Sequence, residues 1–428
     1  MNDKCRRKDD RPANGVGRVT KRLPVLVIVL LAGSVVHAQG QTEATAYLDR
    51  ALDILQQHFV SRDGVDWRSL RERAYSAARD AKDPSETYQA IRLALEIMGE
   101  RHSRFMTPEE RRLFRQGAGT SVGMLVLYPE NVVARVFPNS PASRAGVLPG
   151  DVVLTVNGST PQPNSPEDRL LSFTATSSFV LQLKRGEHAY EATLDRERVS
   201  INLPPRVLRF GKISYLELPG YVGDGQIEGL GTYGDVAQKA IAESDQSPSC
   251  GWVVDLRRNG GGNMWPMIVA AGPIVGEGNL GSYVVGQTRT SWSYRNGASY
   301  AGQEVASRLE GMSAYTLKNP KPSVAVLVSR ITASSGEAAL IAFIGRENTR
   351  TFGEPTNGLP TVNDLYELED GAALVITESY MADRNGTTYD DIIRPDQEVV
   401  TDWANVGNDK DEVLSTASRW LQDQPSCK

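Results

Sequence analysis

The 428-residue chain is poor in the side chains that most often carry chemistry. It has three cysteines, Cys5, Cys250 and Cys427, and no Cys/His pair at metal-ligand spacing, which gives no support to a zinc module. Cys250 and Cys427 are able to pair in an oxidising compartment, although two cysteines define no disulfide framework. Beyond residue 38 only three histidines remain, His58, His102 and His188, so the choice of an imidazole base is narrow. No lysine occurs between Ser334 and Lys410. There is no internal repeat or low-complexity tract, and only one apolar run of any length, LPVLVIVLLAGSVV from Leu23 to Val36. That run falls short of the ~20 residues a membrane-spanning helix needs.

What precedes and follows the run gives it a meaning. Residues 1–38 carry eight Lys or Arg against three Asp, a net of +5, and the run exits through Val36-His37-Ala38. A basic head, a short apolar stretch and a small-x-small exit are the pattern of a secretory signal peptide, with a retained anchor as the alternative. No cysteine follows the run, which argues against a lipoprotein anchor. Export across an inner membrane, with a periplasmic location, is the expectation. The whole chain has net charge −5, so the 390 residues after the head carry −10. So acidic a body is unsuited to sequence-blind nucleic-acid binding.

The rest reads as three zones. Residues 41–115 are helical: Leu48, Leu52, Leu55 and Phe59 recur at helical spacing, and SETYQAIRLALEIMGE has a cap signal at Ser85 after Pro84. Residues 116–202 alternate apolar and polar positions, with turns at Pro149-Gly150 and Asn157-Gly158 and a hairpin at Gly186, as a small β module does. Residues 205–428 alternate strands and helices. GWVVDLR and SVAVLVS are nearly all apolar, as parallel strands covered on both faces are, which predicts an α/β core.

Two stretches of the third zone suit chemistry. Arg258 to Asn263 reads RNGGGN, where glycines let several backbone N–H groups point one way. No Gly-Lys-Ser/Thr follows and the GxGxxG spacing is absent, so it is neither a Walker loop nor a dinucleotide fingerprint. In TASSGEAALIAFIG, residues 332–345, the pattern Ser-x-x-Glu before apolar residues is a capping box. A hydroxyl at such a helix start also feels the positive end of the dipole and is surrounded by unpaired amides, a setting able to favour an alkoxide.

These segments in combination resemble known families. SPASRAGVLPGDVVLTVNG, with GTSVGMLV before it, resembles a PDZ domain of the kind attached to bacterial processing proteases. That resemblance implies capture of extended chain ends by strand addition, through Gly119, Val122, Gly123 and Met124. DLRRNGGG, TASSGE and TFGEPTNG resemble the C-terminal processing peptidases, also called tail-specific proteases. The likeness implies a crotonase/ClpP-like α/β catalytic core (α+β overall) with an inserted PDZ-like domain and a helical N-terminal segment. It implies a serine nucleophile at Ser334. It also implies oxyanion donors at Gly261 or its neighbour Gly262, and at Ser335.

One departure is decisive for mechanism. Relatives with a serine–lysine dyad have their lysine where this chain has Leu359, and a leucine cannot take a proton. Lys318 and Lys321 lie near in sequence but carry no such resemblance. MGERHSRFMTPEE resembles both the His-Ser motif of the processing peptidases and the tricorn-type branch, where a histidine at this place is the base. The role of base is therefore expected at His102. The tricorn-type hydroxyl before the histidine is replaced by Arg101, Ser103 is adjacent, and Asp390 or Asp391 is the candidate late acid. The expectation is a serine endopeptidase acting on protein or peptide chain ends, with no metal, cofactor or nucleic acid and no stable membrane span after signal cleavage. The sequence leaves the oligomeric state open. A catalytically inactive peptide-binding homologue is the alternative.

Overall fold

The computed structural model describes residues 32–428 except 163–175, 224, 228 and 248, with no side chain before Glu43. The expected signal peptide therefore lies largely outside the described residues. Among the described residues no helix is long and apolar enough to cross a membrane.

The apolar strands of the third zone form a six-stranded sheet. Its order is Gln397–Glu398, Thr349–Gly353, Ser323–Val328, Gly251–Asp255, Ile213–Glu217 and Arg206–Phe210, and only the last strand runs antiparallel. Side chains alternate across a strand, so each strand supplies two cores. Val253, Ala325, Leu327 and Phe352 meet Val413, Leu414, Ala417 and Leu421 of the C-terminal helix Glu412–Gln422. Trp252, Val254, Val324, Val326 and Val328 face the other way, onto the helices Tyr233–Ser244, Met264–Val275 and Ser335–Phe343. Covering both faces is what makes these strands continuous apolar runs in the sequence. A Cys250–Cys427 disulfide joins the start of the strand Gly251–Asp255 to the chain's end.

A second, eight-stranded sheet has the long strand Ala373–Asp383 at its centre of pairing. The helical first zone packs against it: Leu48, Leu52, Leu55, Leu70, Ile91 and Leu95 share one core with Leu368, Leu374 and Ile376. The third helix starts later than the sequence suggests. The Asp83 carboxylate accepts from the Ser85 and Glu86 amides, Pro84–Thr87 forms a 3-10 turn, and the α-helix runs Tyr88–Met98. It ends at Gly99, whose φ of +68° suits a residue without Cβ. The strand Arg104–Met106 then pairs antiparallel with residues 373–375. This pairing carries a residue of the first zone, His102, into the neighbourhood of the third.

The β module leaves and re-enters through one ribbon, Ala118–Ser121 paired with Glu197–Ser200. Its five-stranded sheet has Met124–Leu127 as an edge strand. Val122, Val126, Val133, Leu181 and Leu183 fill its own core. It docks on the loops of the α/β core: Arg135 Nη1 donates to the Arg258 carbonyl at 2.6 Å, Arg330 pairs with Glu130 at 2.9 Å, and Leu127 and Ala134 pack on Ile331 and Trp403.

Candidate active site

The strands Gly251–Asp255 and Ser323–Val328 are parallel neighbours, so the loops at their C-terminal ends meet, as at crevices of open α/β sheets. Side-chain hydroxyls knit the loops together. Ser329 Oγ donates to the Arg257 carbonyl at 2.7 Å and Thr332 Oγ1 to the Leu256 carbonyl at 2.9 Å, while the Ala333 amide donates to Asn259 O at 3.1 Å. Ser334 follows with φ +53° and ψ −120°, an unusual backbone for a residue with a Cβ. The helix Ser335–Phe343 begins there and is buried along its whole length, as a helix apolar on every side from Ala338 on must be.

Glu337 anchors this corner. Its carboxylate, fully buried, accepts from the Ser334 amide (2.9 Å), Thr356 Oγ1 (2.5 Å), and the Gly358 and Leu359 amides (3.0 and 2.9 Å). Burial raises its pKa to about 7, while the four donors favour the charged form. The capping glutamate of the sequence thus also fixes the segment 356–359.

His102 sits in a turn held by Glu100, which accepts from the His102 and Ser103 amides at 2.8 and 2.5 Å. Asn363 Nδ2 donates to the His102 carbonyl at 2.8 Å. The ring spans two hydroxyls: Nε2 lies 2.9 Å from Ser334 Oγ and Nδ1 2.6 Å from Thr361 Oγ1. With the proton on Nδ1, donated to Thr361, Nε2 is an acceptor for the serine. Burial pulls the imidazole pKa down to about 4; Glu100 raises it, and Arg104 and Arg101 lower it further. The ring is therefore neutral at neutral pH.

The glycine loop lies against the serine. A Cβ on Gly261 would come within 2.8 Å of Ser334 Cβ, and one on Gly262 within 1.8 Å of the Tyr221 carbonyl oxygen, so both positions exclude larger residues. The Gly261 amide already donates to Asn259 Oδ1 at 3.0 Å. The bridge between Tyr221 and Gly262 is made by Tyr221 N–H on Gly261 O and Asn263 N–H on Tyr221 O, which leaves the Gly262 N–H outside it. Ser335 is the first helical residue, whose amide has no intrahelical acceptor. Its hydroxyl donates to the Gly262 carbonyl at 2.7 Å and fixes the two segments together.

Ser334, His102, Gly261, Gly262, Ser335, Leu359 and Thr361 line one cleft of about 750 Å³. Gly119 and Met124 of the β module line it too, whereas Val122 is in the module's core and Gly123, at φ +78°, packs on Ser140. Other candidates fall elsewhere. Asp390 and Asp391 are exposed, and it is Thr361 that meets His102 Nδ1. Ser103 Oγ accepts from the Thr377 amide at 3.0 Å instead of facing the imidazole. Lys318 Nζ donates to the Gln246 carbonyl, and Lys321 pairs with Glu347. His58 pairs with Glu378 at 3.0 Å, and His188 is exposed on a hairpin. Sequence reasoning missed Thr361; its only local signal is a hydroxyl two residues after Leu359.

Residues 212–399 match the model of peptidase family S41, and residues 132–185 match a PDZ domain. The chain is 28% identical over 360 residues to the chloroplastic carboxyl-terminal-processing peptidase 2 of Arabidopsis thaliana, covering 79% of this chain and 65% of that one. It is 26% identical over 381 residues to a carboxyl-terminal-processing protease of Synechocystis, covering 85% and 83%. Among solved structures, the photosystem II D1 C-terminal processing protease shares the fold, with a TM-score of 0.57 at 23% identity over 90% of this chain and 98% of that one.

Proposed function

The chain belongs to peptidase family S41 and carries a PDZ domain, and on that premise we propose that it is a serine endopeptidase of the C-terminal processing type with a Ser334–His102 pair. The observation that carries the reading is the 2.9 Å contact between His102 Nε2 and Ser334 Oγ. A general base must lie within such reach of the proton it takes. In the proposed reaction Ser334 Oγ attacks the peptide carbonyl as its proton passes to Nε2. Thr361 accepts the Nδ1 proton in a hydrogen bond, holding the tautomer and the ring plane. The oxyanion is met by the Gly262 and Ser335 amides at the positive end of the helix. The imidazolium then gives its proton to the leaving amine, and water repeats the sequence to free the enzyme. Leu359 takes no part in proton transfer; it walls the cleft.

Substrate reaches the cleft by strand addition on the edge strand Met124–Leu127, whose Met124 already lines it. The basic head and apolar run support export to a periplasm-like compartment, where the Cys250–Cys427 disulfide persists. An inactive peptide binder would have no need to hold an imidazole on its serine. Digestion of an unfolded protein substrate by wild type and by Ser334→Ala tests the reading. Wild type is expected to cleave it and the variant to lose at least ~10³-fold. Equal cleavage by the two would overturn it.

A further inference from the structure

The end of the strand Gly251–Asp255 carries a buried ion cluster that does not line the cleft. Side chains alternate along the chain there, so Val253, Asp255 and Arg257 share the face covered by the C-terminal helix Glu412–Gln422. Arg257, fully buried, meets two buried carboxylates. Its Nε and Nη2 donate to Asp255 Oδ2 at 3.0 and 2.6 Å, and its Nη1 and Nη2 donate to Asp411 at 2.9 and 2.7 Å. Asp255 also accepts from the Arg257 amide at 2.9 Å and from Tyr215 Oη at 2.6 Å. Asp411, the N-cap of the helix, accepts from the Gly407 and Leu414 amides at 2.8 and 3.1 Å. Such a cluster adds little stability over apolar residues of the same volume. What it adds is a fixed backbone. Arg257 immediately precedes the loop Arg258–Asn263, whose Gly262 amide is one proposed oxyanion donor. Its carbonyl accepts from Ser329 Oγ at 2.7 Å, and that oxygen accepts in turn from the Ile331 amide at 3.0 Å, on the loop that leads to Ser334 and to the other donor, Ser335. Arg257 is therefore a tie between the two halves of the oxyanion hole, its side chain held by the C-terminal helix and its carbonyl by the serine loop. Asp411 lies beyond residues 212–399, the stretch that matches the peptidase family.

We propose that Asp411 and Arg257 are positioning residues for peptide cleavage, through which the C-terminal helix sets the spacing of the Gly262 and Ser335 amides. The inference rests on the peptidase reading above and deepens it. The oxyanion exists only in the transition state and the tetrahedral intermediate, so a hole of the wrong width lowers kcat and spares KM.

Steady-state cleavage of fluorescein-labelled casein tests it, at a temperature where circular dichroism shows each variant folded. Asp411→Asn keeps the helix cap and removes the charge. Ser329→Ala cuts the carbonyl tether and leaves the ion cluster whole. Where Asp411→Asn does not fold, Asp411→Glu, which keeps the ion pair but lengthens it by a methylene, takes its place with the same expectation. Each substitution is expected to lower kcat at least ~10-fold, a part of the ~10²–10³ that a lost oxyanion donor costs, with KM within about twofold of wild type. Because both positions act through Arg257, the double variant is expected to be no more than about threefold slower than the slower single variant. A kcat within about twofold of wild type in the folded variants, a loss carried by KM, or losses that multiply in the double variant would overturn the positioning role. A wild type that cleaves casein beside variants of that kind loses only this inference. A wild type that neither cleaves casein nor takes a fluorophosphonate on Ser334 loses the peptidase reading and this inference with it.

Discussion

At the scale of single residues, the proposed chemistry turns on the His102 imidazole. Its depressed pKa, about 4, means that the free enzyme keeps a neutral base down to mildly acidic pH. The acid limb of kcat/KM is therefore expected near pH 4, and a limb near the ordinary ~6.5 would contradict the buried, Arg-flanked environment. The sign for stability is the same. The unfolded chain takes up this proton near pH 6.5 and the folded chain only near 4, so the contribution is full above 6.5 and is lost as pH falls between the two. Thr361→Val removes the acceptor of the Nδ1 proton. A drop of roughly tenfold in kcat/KM is expected, the value of one hydrogen bond of ~1.4 kcal/mol, carried by kcat and not KM. Thr361→Ser should restore it; full activity in the valine variant would remove the threonine from the account.

At the scale of elements, the site is a meeting of a helix start, a glycine loop and a turn, each held by buried polar contacts. Glu337 ties the helix start to the segment 356–359 through four donors. Glu337→Gln replaces acceptor capacity with an amide group facing N–H donors. It is expected to cost ~1–3 kcal/mol in thermal unfolding and to slow acylation of Ser334. Unchanged stability and rate would show that the carboxylate is not the anchor. Much of this scale was legible in the sequence. The apolar runs at 251–257 and 323–329 announced the parallel strands, because burial on both faces leaves no room for polar positions. The capping pattern placed the helix at Ser334. The helix start near Ser85 was displaced because Asp83 captures the amides first. The partner of His102 Nδ1 was illegible, since it arises from pairing between Thr361–Glu367 and Ala373–Asp383, a long-range register no local pattern encodes.

At the scale of the whole molecule, the first zone is not an appendage. It shares a core with the second sheet and delivers the histidine across 232 positions of chain to the serine. The β module rests on the glycine loop and on the loop that leads to Ser334, through Arg135 and Arg330. The disulfide sits at the opposite end of the six-stranded sheet, where strand Gly251–Asp255 begins. Cys427→Ser is therefore expected to lower the unfolding free energy by ~2–4 kcal/mol while leaving the labelling rate of the folded enzyme unchanged. A large loss of labelling without loss of stability would mean that the two ends of the sheet are coupled.

The central claim is that His102 activates Ser334. It is tested most directly by the rate at which a fluorophosphonate modifies the protein, with the site mapped by mass spectrometry, in wild type, Ser334→Ala and His102→Ala. Modification is expected on Ser334 in the wild type, none in Ser334→Ala, and a rate lowered ~10²–10⁴-fold in His102→Ala. An unmodified wild type, or a His102→Ala variant that labels as fast as wild type, would contradict the account.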